Sequence, residues 1–87
     1  MSTLPPPSTK KFPEESLESK VYKIVEDLKE YLPVLNDRNR LGFSLVLYKK
    51  GGGDKPEILI KSLKLTIEKI SPEDLVAKIN QKLQDIN

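Results

Sequence analysis

The chain contains no histidine, no cysteine and no tryptophan among its 87 residues. The missing histidine removes the commonest general base and the commonest metal ligand. The missing cysteine removes thiol nucleophiles, thiolate metal sites and disulfide staples. No stretch approaches the roughly 18 apolar residues that span a bilayer, and Met1 to Lys11 lacks the apolar core of a secretory signal. The expected location is therefore a cytoplasm. Charge of one sign is also scarce, with a net formal charge of +2. That is too little to mark a nucleic-acid binder by itself.

What is present is enough for one small domain. Residues 1–12, with Pro5-Pro6-Pro7 and Lys10-Lys11, read as a disordered or extended tail. Residues 13–87 read as a single α+β domain. Pro13 suits a first helical turn, and Glu14, Glu15 and Glu18 suit the positive end of a helix dipole. Leu17, Val21, Ile24, Val25, Leu28, Tyr31 and Leu32 then form one helical stripe, which Pro33 closes.

Val34 to Arg40, with the turn formers Asn36, Asp37 and Asn39, reads as a connection, and the block Leu41 to Ile70 reads as β structure. Leu41, Phe43, Leu45 and Leu47 alternate with Gly42, Ser44, Val46 and Tyr48. Gly51-Gly52-Gly53-Asp54-Lys55-Pro56 reads as a hairpin turn. Ile58 and Ile60, then Leu63, Leu65 and Ile67, read as a second strand that changes face at Lys61-Ser62, or as two short strands. Ser71, Pro72, Glu73 and Asp74 announce a second helix, with Leu75, Ile79, Leu83 and Ile86 on one side. The expected order is α-β-β-(β)-α, with two helices on one face of a small antiparallel sheet. That order resembles the small proteins that bind the Alu part of signal recognition particle RNA. The resemblance is one of element order, and no motif accompanies it.

Few chemical motifs survive inspection. Asp37, Asn39 and Gly42 start like a calcium loop, but the position that needs a glutamate is Tyr48. The triple glycine lacks the Lys-Ser/Thr ending of a phosphate loop. Acidic groups in the first helix read as solvent-facing charge. No catalytic residue, cofactor or metal site is expected.

Two functional readings follow. The first is a non-catalytic interaction module or accessory subunit. It would bind a protein, or a second copy of itself, through an open sheet face or edge carrying Val46, Tyr48, Leu59 and Lys61. The second is RNA or DNA binding by a basic sheet and hairpin of Arg38, Arg40, Lys49, Lys50, Lys55, Lys61 and Lys64, with Tyr48 as a stacking ring. Charge asymmetry supports the second. Glu14 to Leu32 holds six acids and three lysines, while Arg38 to Lys69 holds eight bases and three acids. Lysine on exposed strands is also ordinary edge protection.

Overall fold

The computed structural model describes residues 16–86, and within them it contains four α-helices and no strand. They are α1 (Leu17–Asp27), α2 (Leu35–Lys49), α3 (Pro56–Ser62) and α4 (Pro72–Gln84). The α+β expectation is thereby overturned: the described domain is all-α. The expected tail, residues 1–12, lies outside the described residues, as does the proposed helix start at Pro13.

Two of the helices keep the apolar stripes their sequences suggest, although α1 starts at Leu17, after an extended Ser16, and not at Pro13. In α1 the Ser16 hydroxyl accepts from the Ser19 N–H at 3.1 Å, capping the first turn. Val21, Ile24 and Val25 are buried along its stripe. The regular helix stops at Asp27, but tighter turns carry Leu28 and Leu32 into the core before Pro33. In α4 the Ser71 hydroxyl accepts from the Asp74 N–H at 3.1 Å, Pro72 takes the first helical position, and Leu75, Ile79 and Leu83 are buried.

The expected first strand, Leu41 to Lys49, is instead the C-terminal part of α2. A run of alternating leucines also satisfies a helix, because every second pair is four residues apart. Leu41 and Leu45 are fully buried, while Phe43 and Leu47 lie on the outside. Leucine is a strong helix former, and Val46 is the one β-branched residue in the run. The helix also begins six residues earlier, in a stretch that reads as turn formers. The expected hairpin glycines end α2. The Gly52 N–H donates to the Leu47 carbonyl and the Gly51 N–H to the Tyr48 carbonyl, both at 2.9 Å. Gly51 has φ of 90°. This paired pattern is the Schellman motif, in which a glycine in the left-handed region ends a helix.

The expected second strand divides in two. Pro56 to Ser62 is α3, with Pro56 at its first turn and Leu59 and Ile60 buried. Residues 63–70 form the connection to α4. Leu63, Leu65, Ile67 and Ile70 are partly buried against the core, as their spacing suggests, but no strand pairs with them. With no sheet present, the element order shared with the Alu RNA-binding proteins is lost as well.

The helices pack as a ring. Neighbouring contacts join α1 to α2, α2 to α3, α3 to α4 and α4 to α1. One cluster, built on Val21, Val25, Leu28, Leu32, Leu41, Leu45, Leu75 and Ile79, fills the centre. Gly42 lets α1 and α2 approach closely. A Cβ there would lie 2.6 Å from the Tyr22 ring.

Candidate interaction surface

The residues expected to line an open sheet face do not share a face. Val46 and Leu59 are buried in the core, and Tyr48 is half-buried against it. Lys61 is exposed. It borders a shallow cleft of about 270 Å³ between α3 and α4, with Glu57, Ile60, Pro72, Glu73 and Val76.

The basic residues are dispersed too, and most are engaged within the chain. Arg38 donates from an Nη atom to the Leu32 carbonyl at 2.8 Å, and its Nε lies 3.9 Å from Glu26. Arg40 pairs with Asp37 at 2.9 Å, Lys50 with Glu18 at 3.0 Å, and Lys55 with Glu57 at 3.8 Å. The Lys49 ammonium lies 3.5 Å from the Leu83 carbonyl. Lys61 and Lys64 have no acidic partner among the described residues. These pairs have a legible electrostatic signature. The Lys50 hydrogen bond holds the Glu18 carboxyl below the usual carboxylate range.

Asp37 is the one buried charged residue among those described. One carboxylate oxygen accepts from the Thr66 N–H at 2.8 Å and the other from Arg40 at 2.9 Å. The backbone hydrogen bond and then the guanidinium hold its pKa down, against a smaller opposing effect of burial. This carboxylate therefore ties the connection between α3 and α4 to the first turn of α2. Sequence reasoning placed Asp37 in a loop and missed it. Its signal was weak: an acid in the first turn of a helix, with an arginine three residues on.

The feature that sequence reasoning misplaced most is the outer face of α2. At about 100° per residue, Asn36, Arg40, Phe43, Leu47 and Lys50 share one side of this helix. Phe43 is 60% exposed and Leu47 39% exposed. The opposite side carries Leu41 and Leu45 into the core. So α2 exposes two large apolar side chains opposite its core stripe, whereas α1 and α4 each show one stripe.

Among the described residues no group of three or more acidic side chains is placed to hold a metal ion. No described helix is long and apolar enough to cross a membrane. No family model, curated protein or solved structure matches the chain.

Proposed function

We propose that this chain is a non-catalytic protein-interaction module that docks a partner on the outer face of α2. The observation that carries the reading is the outward placement of Phe43 and Leu47, one turn apart, on a helix whose other side already fills the core. Two such residues form a short seam of the kind that packs helix on helix. Arg40 and Lys50 bound the seam at its two ends. Both cations are already paired within the chain, Arg40 with Asp37 and Lys50 with Glu18, so charge does not decide between a second copy and another protein. A cytoplasmic setting belongs to the same proposal.

Light scattering at high concentration separates the two kinds of partner: a dimer marks a second copy, a monomer another protein. Affinity capture with the wild-type chain, followed by recombination with the purified captured protein, should yield a complex measurable by calorimetry. Phe43→Asp with Leu47→Asp should weaken that complex at least about tenfold, the equivalent of 1.4 kcal/mol. An unchanged affinity in the double variant would sink the reading.

Nucleic-acid binding draws less support. Of its seven cations, Arg38, Arg40, Lys50 and Lys55 lie beside acids of the same chain, and Lys49 leans on a backbone carbonyl. Anisotropy with labelled single-stranded RNA and DNA should show no micromolar binding at near-physiological salt. Tight binding that weakens steeply with salt would restore that alternative.

A further inference from the structure

The connection from α3 to α4 is tied down along one edge only. The Thr66 N–H donates to Asp37 and the Glu68 N–H donates to the Tyr31 carbonyl, at 2.8 and 2.9 Å. Leu65 and Ile67 are partly buried, while Thr66 and Glu68 are exposed. Alternate side chains inward and alternate amides engaged is the period of an extended chain. The peptide groups of Leu65 and Ile67 therefore point away from those of Thr66 and Glu68. They make no hydrogen bond among the described residues.

Two lysines bracket this free edge. Lys64 has φ of 53° and Lys69 has φ of 68°, the left-handed region that an L-residue enters at a cost of about 1 kcal/mol. They end the extended run on both sides and leave four residues, 65–68, in line. Lys61, Lys64 and Lys69 are exposed and have no acidic partner among the described residues. Lys20, Lys23 and Lys82 on α1 and α4 have no acidic partner among the described residues either, but Lys61, Lys64 and Lys69 lie in the connection or in the last turn of α3 that leads into it, with the exposed Glu68 between Lys64 and Lys69.

We infer that residues 65–68 form a docking edge for an extended peptide with acidic ends. The peptide would pair its backbone with Leu65 and Ile67, adding a strand to this connection. Its acidic ends would meet Lys61, Lys64 and Lys69. This edge is separate from the α2 face and does not depend on it.

Amide hydrogen exchange followed by NMR tests the inference on the full chain. The probes are acetyl-Glu-Thr-Val-Thr-Val-Glu-amide and the same peptide with lysine at both ends. In the free protein the Thr66 and Glu68 amides should exchange slowly and those of Leu65 and Ile67 quickly. Saturating acidic peptide should slow Leu65 and Ile67 by at least about tenfold. The lysine-ended peptide should do so far less. A chain made by semisynthesis with an N-methyl group on Ile67 removes one outer donor and keeps the side chain. It should lose peptide binding while the Thr66 and Glu68 amides stay protected. Slow exchange at Leu65 and Ile67 in the free protein would overturn the inference, because the edge would then already be filled. Protection that rises with protein concentration alone would overturn it in favour of a second copy. Shifts confined to the three lysines, without amide protection, would reduce it to bare charge attraction.

Discussion

Leu45→Asp should unfold this domain, and Phe43→Asp should leave it folded. The Leu45 side chain is fully buried in the centre of the helical ring, and Phe43 on the same helix is mostly exposed. A carboxylate at position 45 would sit in apolar surroundings with no partner. Burying an unpaired charge costs several kcal/mol, and the lost leucine adds about 2–5 kcal/mol more. A domain of this size holds only about 5–10 kcal/mol in total. At position 43 the new carboxylate meets water, and the cost should stay within about 1 kcal/mol. Circular dichroism at 222 nm with urea titration would separate the two outcomes. Equal damage from both substitutions would contradict the helical register, since residues 43 and 45 share a face in a strand and not in a helix.

That pair also explains what was legible in the sequence. The start of α4 could be read directly from Ser71, and the apolar stripes of α1 and α4 were both legible, but α1 begins after an extended Ser16 and not at Pro13. The register of α2 could not be read from alternation alone. Leu41, Phe43, Leu45 and Leu47 fit a strand face, and Leu41 with Leu45 fits a helix face equally well. The deciding signals were local. Lys49, Lys50 and Gly51 together form a helix stop, with cations in the last turn and a glycine just beyond it. Pro56 followed by Glu57 suits a helix start better than a strand. The alternation at Leu63, Leu65 and Ile67 was a true sign of extended chain, yet it specified no partner strand. The outer face of α2 was invisible because it depends on which residues of a two-sided helix turn inward.

Asp37→Ala should be the most damaging single change to a polar group. It leaves the Thr66 N–H and the Arg40 guanidinium without their acceptor. Hydrogen bonds to a charged group contribute about 1.5–3 kcal/mol, so a loss of roughly 2–3 kcal/mol is expected in urea denaturation. Asp37→Asn keeps one acceptor and should fall between. The pH dependence carries the same information. The folded-state pKa of Asp37 is depressed. Its contribution is therefore full above the unfolded-state value of about 4 and is lost as pH falls through the lower folded value. Wild-type stability should drop more steeply than that of Asp37→Asn below about pH 4. Glu18 adds a fall of the same sign in both proteins, so the difference between the two curves isolates Asp37. Parallel curves would mean that the carboxylate does not hold the connection.

The ring of helices has a consequence for how the chain finds its shape. Three of its four joints link helices adjacent in sequence, and only the joint between α1 and α4 must gather distant segments. Such mostly local wiring favours rapid folding, in about microseconds to milliseconds. Two helical pairs can form early, and the late event is the closure of α4 onto α1. Temperature-jump relaxation should show Ile79→Val chiefly speeding unfolding while Leu45→Val slows folding, which would place the closing joint after the barrier.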